Sequence, residues 1–151
     1  SPPTHSLLAA AELLTGTRGP ERVRSTAARQ AAMQGRSSVL IDHRTYRILP
    51  GRVPAQLDLY SKLAYPVQLR YMGEPLCYLV AESGALNTLV HAWVYESAGD
   101  REAKRAKMMQ DPDWKLFLSE NAKAGNVVEQ HTSLMVPAKF APPIPMPKIV
   151  R

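Results

Sequence analysis

The chain has 151 residues, 45% of them hydrophobic and 21% charged, with a formal net charge of +6, a balance that suits one globular domain with a core plus appendages. No apolar run approaches the ~18 residues needed to span a bilayer, so a soluble or peripheral chain is expected, and Cys77, the only cysteine, excludes an internal disulfide and has no CxxC or zinc spacing near it. The excess charge is divided: residues 1–38 carry +3, residues 39–136 are neutral and residues 137–151 carry +3, which argues against a nucleic-acid-binding face on the central segment.

In chain order, Leu7, Leu8, Ala11 and Leu14 recur at helical spacing before Gly16, and Pro20 to Gln34 reads as a second amphipathic helix ended by Gly35. The arginines of residues 1–38, Arg18, Arg22, Arg24, Arg29 and Arg36, sit in an acid-poor, Ser/Thr-containing stretch of the kind that targets proteins to mitochondria. Ser1 stands where an initiator methionine would, so a preceding segment is expected to have been removed. Val39 to Ile48 reads as a strand stopping at Leu49-Pro50-Gly51. A helix follows, with Pro54 in its first turn and Leu57, Tyr60, Leu63 and Ala64 on one side, and Pro66 is expected to end it at Tyr65.

Pro75 to Glu82 is a short apolar strand. Thr88 to Glu96 is a nearly continuous apolar run that reads as a strand covered on both faces. Asp100 to Met109 has helical spacing with Ala103, Ala106 and Met109 or Gln110 inward, leaving Arg101, Glu102, Lys104, Arg105 and Lys107 to solvent. Asp111-Pro112-Asp113 then caps a further helix in which Trp114, Phe117 and Leu118 share a face. Val127 to Val136 is the last strand. The tail from Pro137 holds five prolines and is expected to be extended, with no core of its own, and Lys139 and Lys148 give it charge.

The order strand, helix, strand, strand, helix pair, strand implies an α+β fold, a ferredoxin-like βαββαβ domain over 39–136 with helices on one face of an antiparallel sheet. It is flanked by an N-terminal basic helical extension over 1–38 and a Pro-rich basic tail over 137–151.

The central segment resembles the NIPSNAP family. The residues that carry the likeness are Arg44-Thr45-Tyr46 with Pro50-Gly51, Glu82 and Gly84 before Leu86-Asn87, His91 to Ser97, Asp100-Arg101, and Asp111-Pro112-Asp113-Trp114. The resemblance implies a dimeric α/β barrel in which two sheets pack face to face, as a homodimer or pseudo-dimer. It does not extend to residues 1–38 or to the tail, and His43 stands where an apolar or acidic residue is commoner.

For chemistry, the candidates are His91, with Trp93 and Tyr95 on the same strand face, and His43 with Thr45 on the first strand. Relatives of the barrel fold include cofactor-free oxygenases and haem-binding enzymes. A catalytic or haem-ligating His91 would need an open cavity and a second group to orient its ring. The simpler expectation is a core ring hydrogen-bonded to a carboxylate or carbonyl. There is no phosphate loop, HExxH, nucleophile elbow or EF-hand, so no cofactor is expected. Asp42, Glu82 and Glu96 are expected to pair with Arg44, Arg47 or Arg70.

These readings favour a non-catalytic accessory subunit of a larger mitochondrial assembly, such as a respiratory complex or ATP synthase, held to its protein partners by Arg18, Arg22, Arg24, Arg29, Arg36, Lys139 and Lys148. The alternatives are a small-molecule enzyme or binder acting through His91, His43 and Tyr95, and a mitochondrial ribosome subunit or a basic adaptor for RNA or anionic membrane, with a cytoplasmic location as the alternative to the mitochondrial one.

Overall fold

In the computed structural model, which describes residues 38–149, β1 (Leu40–Ile48) lies at the centre of a four-stranded antiparallel sheet. It pairs with β3 (Thr88–Tyr95) on one side and β4 (Val127–Met135) on the other, and β2 (Cys77–Val80) pairs with β3, giving the order β2-β3-β1-β4. With α1 (Val53–Leu59), α2 (Tyr65–Met72), α3 (Ala98–Gln110) and α4 (Pro112–Ala124), this is the βαββαβ order of a ferredoxin-like α+β domain. Residues 37–151 form one unit. The helices expected in the first 37 residues, and Arg18, Arg22, Arg24, Arg29 and Arg36 with them, lie outside the described residues.

Strand alternation sorts the side chains. Asp42, Arg44, Tyr46 and Ile48 of β1 face the helices together with Leu89, His91, Trp93 and Tyr95 of β3. Ile41 and His43 face the other way with Ala92 and Val94. On the helix side the core consists of Tyr60, Ala64, Val67, Met72, Trp93, Tyr95, Met108, Trp114 and Phe117.

Pro66 does not end the first helix as the sequence suggested. The chain passes through it by widening into a π-helical segment over Tyr60–Ala64, in which the Tyr65 N–H reaches the Tyr60 carbonyl, and resumes as α2. The wider turn relieves the clash between a proline ring and the preceding turn that would otherwise break a regular helix.

The expected inward face of α3 is also wrong. Met108 is buried, whereas Ala103, Ala106 and Met109 are exposed, and Arg101, Lys104 and Arg105 lie on the Met108 side at i, i+3, i+4 and i+7. The cause is Asp42, fully buried in β1, whose carboxylate takes Arg44 Nε at 2.9 Å and Arg101 Nε at 2.7 Å. Long basic side chains bury their stems and deliver their charge to this carboxylate, while Lys104 pairs with Asp100 and lies over the Tyr95 ring. Arg47 pairs with Glu129, and Arg70 with Asp111 and Asp113, rather than with Glu82 or Glu96.

The helix starts follow their sequences. Ser97 accepts the Asp100 N–H while Asp100 Oδ2 accepts the N–H of Glu96. Asp111 accepts the N–H of Asp113, with Pro112 in the first turn. Asp111 is further held by Arg70 and by the Tyr71 hydroxyl, at 3.0 and 2.9 Å.

On the other face, Val39, Ile41, Ala92 and Val94 form a small cluster joined by Cys77 and by Ile144 of the tail. The tail also passes Gly73, the buried cap of α2, whose φ of 75° and ψ of −165° suit glycine alone. A Cβ there would come within 2.7 Å of the Lys148 carbonyl. The tail thus has a seat on its own domain, with Lys139 and Lys148 exposed. Gly73→Ala is expected to cost roughly 1–3 kcal/mol and to speed amide exchange in residues 142–149 more than in the sheet, as hydrogen exchange would report.

Candidate functional site

A cavity of about 240 Å³ lies between sheet and helices, running along the inner side of β1, where Arg44, Tyr46 and Ile48 line it at two-residue steps. One row across the sheet brings together Thr132, Arg44, His91 and Tyr78, since Arg44 is opposite both Thr132 and His91, and Tyr78 is opposite His91. From the helices come Arg105 and Met109 of α3, and Trp114, Phe117, Leu118 and Asn121 of α4. The inner-facing residues of the edge strand β4, Gln130, Thr132 and Leu134, are exposed, so the cleft opens on that side.

His91 is 2% exposed, and its surroundings fix its role. Trp93 Nε1 donates to His91 Nδ1 at 2.6 Å, so the imidazole accepts on Nδ1 and carries its proton on Nε2. Its ring lies between Tyr46 and Tyr78, with centroids at 5.2 and 4.8 Å and planes within 10° of parallel. Burial, reinforced by the positive charge of Arg44, lowers its pKa to about 3. It is a neutral donor at physiological pH, with its basic nitrogen already used. The bond from an indole N–H takes the place of the expected carboxylate or carbonyl partner. Both conditions set for a functional His91, a cavity beside it and a group that orients its ring, are met.

The other two candidates are placed elsewhere. Tyr95 is fully buried outside the cavity lining, with its hydroxyl donating to Met72 Sδ at 2.8 Å. His43 is on the opposite face of the sheet.

Arg44 pairs with Asp42 as expected, whereas Arg101 and Arg105, expected in solvent, turn toward the sheet. Arg44 has its fork filled by Asp42 and by the Tyr46 hydroxyl, and these bonds outweigh burial and keep its pKa above the ordinary arginine value. Arg105 is half-buried and forms no ion pair among the described residues. Burial, with the charges of Arg44 and Arg101, lowers its pKa. Three guanidinium groups against one carboxylate leave this otherwise neutral domain with two net positive charges beside its cavity. The available signal was the alternation Asp42, Arg44, Tyr46 on one face of β1, ahead of Ile48.

Tyr60 and Tyr78 separate the cavity from an outer groove of about 470 Å³ lined also by Leu57, Tyr65 and Pro75. Their rings are 4.9 Å apart, and Tyr60 donates to Gln68 from the first residue of the π-helical segment. Burial raises the pKa of both tyrosines, so neither ionises near neutral pH. At the Ile48 end, Arg52, Asn126, Gln56 and Asn121 form a hydrogen-bonded chain of 2.9, 3.2 and 2.9 Å that satisfies its own members. Among the described residues no cluster of His, Cys, Asp and Glu is arranged to hold a metal, and no helix is long and apolar enough to cross a membrane.

The NIPSNAP family model matches residues 41–142, six residues further into the tail than the sequence likeness reached. The NipSnap homolog of Dictyostelium discoideum is 28% identical over 98 residues, which are 64% of this chain and 42% of that protein, so the chain spans less than half the length of this relative. Among solved structures, a NIPSNAP family protein of unknown function from Agrobacterium tumefaciens is 32% identical, with a TM-score of 0.64 over 70% of this chain and 94% of its own. A NIPSNAP-like domain protein from Burkholderia xenovorans shares the fold at 24% identity, with a TM-score of 0.67 over 75% of this chain and 97% of its own. Matched over two thirds of its length by the family model, the chain belongs to the NIPSNAP family.

Proposed function

We propose that this NIPSNAP domain binds a small molecule in the cleft between its sheet and its helices, working as one half of a pair formed through the outer sheet face. One observation carries the reading: Arg105, half-buried at the cavity, forms no ion pair among the described residues, although the desolvation of a charge is costly. A cation held there without a partner serves no purpose in the fold, whereas a ligand would complete it. His91 then acts as an oriented, neutral hydrogen-bond donor rather than as a base. The pairing is supported by Leu79, Met135 and Val136, which remain exposed on or beside the outer face. Titration of the labelled protein with charged and uncharged aromatic fragments tests the reading: the amides of His91, Tyr78 and Phe117 should shift, and silence from all three would sink it.

A second reading is favoured by the charge division. Two basic segments flank a neutral domain, which suits an accessory subunit fastened to a larger mitochondrial assembly by Arg18, Arg22, Arg24, Arg29, Arg36, Lys139 and Lys148. Deleting residues 1–36 should then abolish co-purification with other polypeptides. Unchanged co-purification would remove this reading.

A further inference from the structure

We propose that the cavity takes a small, flat organic monocarboxylate, its anionic end between Arg105 and the Nε2–H of His91 and its apolar body against Leu89, Trp114 and Phe117. The inference rests on the cleft-binding reading above and adds the chemical class of the ligand.

Three observations narrow the choice. Of the two arginines that line the cavity among the described residues, Arg44 is already occupied by Asp42 and Tyr46, which leaves Arg105 to offer an open guanidinium fork. One such fork matches the two coplanar oxygens of a carboxylate. A phosphate would bring a second charge with no second open guanidinium to meet it, and although the neutral amides of Gln56, Gln68, Asn121 and Gln130 also line the cavity, the wall of Leu89, Met109, Trp114, Phe117 and Leu118 supplies the apolar surface that an organic body needs. At about 240 Å³, the space lies below the ~300–1,000 Å³ typical of drug-sized ligand pockets. A compact ligand with one acidic group and one apolar body is what this lining complements.

Charged groups reach the site from two elements, Arg44 with Asp42 behind it from β1 and Arg105 with Arg101 beside it from α3, while the lining from the other elements is uncharged apart from His91, and His43 is on the far face of the sheet. Burial keeps His91 neutral and the Tyr60 and Tyr78 hydroxyls protonated near neutral pH. Affinity for such an anion is therefore expected to be flat between about pH 6 and 8.

The test uses the full chain with benzoate, its uncharged isostere benzamide, and inorganic phosphate, with affinity and site read from amide shifts. Benzoate is expected to bind about tenfold or more tightly than benzamide. Arg105→Met should remove that preference and Arg105→Lys restore part of it. Thermal unfolding separates a structural role, since Arg105→Met should leave Tm unchanged or raised by removing an uncompensated, desolvated charge, whereas a structural arginine would lower it. Equal binding of benzoate and benzamide at the cavity residues would overturn the carboxylate assignment and leave the cleft reading standing. Phosphate displacing benzoate at lower concentration would replace carboxylate by a tetrahedral anion. Failure of every probe to move these residues would end both readings.

Discussion

Asp42→Ala will be the most damaging single change in the domain. The carboxylate is fully buried and is the shared acceptor for Arg44 and Arg101. Removing it leaves two guanidinium groups beside a third, Arg105, with no carboxylate paired to any of them among the described residues. Breaking a buried ion pair from one side costs about 3–5 kcal/mol, and for a domain of this size that lowers Tm by on the order of 10–20 °C. Asp42→Asn keeps the shape and isolates the charge, so it should lie close to the alanine variant if electrostatics dominate.

The same site sets an acid limit. Burial alone would raise the Asp42 pKa, but the hydrogen bonds from Arg44 and Arg101 prevail and lower it from 3.8. The folded form therefore binds this proton less readily than the unfolded form, so the contribution is full above pH 3.8 and is lost as pH falls through the lower folded value. His91 acts in the same direction over a higher window: its pKa falls from 6.5 to about 3, so the unfolded chain takes up a proton first and stability declines as pH drops below 6.5. Urea denaturation at a series of pH values should show two successive losses, with only the upper one weakened in His91→Gln.

Met108→Ala is expected to destabilise by about 2–5 kcal/mol, and Met109→Ala, one residue on, by less than about 1 kcal/mol. Met108 has no exposed surface and joins the cluster of Trp93, Tyr95, Trp114 and Phe117, whereas Met109 is 42% exposed at the cavity rim. The contrast tests the register of α3, because the apolar pattern alone assigns the inward position to Met109. Equal losses in chemical denaturation would mean that the helix is rotated from the orientation described.

The strands were legible because period-two alternation and the turns after Ile48, Val80 and Tyr95 speak locally. The helix faces were less so. In α3 the inward side is decided by a carboxylate 59 residues away in sequence, and nothing between Asp100 and Gln110 discloses that Arg101 will reach Asp42. The cavity was hidden for the same reason, since its lining comes from all four strands, all four helices and the π-helical segment, and no stretch of chain contains more than a few of its members. His91 stood out as a residue type, but its partner two positions along, Trp93, passed for core packing. Pro66 misled because the cost of an internal proline assumes a regular helix on its N-terminal side.

That irregular turn has a bearing on insertions and deletions. The widened Tyr60–Ala64 segment holds more residues than a regular helix of the same rise would. Losing one of them would let the segment close to regular α-helix with little change in the rise or in the facing of the helix on either side, so Gln56 would stay on the cavity wall. The cost would fall at Pro66, whose ring would then meet a regular preceding turn. Relatives one residue shorter between Tyr60 and Pro66 are therefore expected to keep the helix face and to lack the proline.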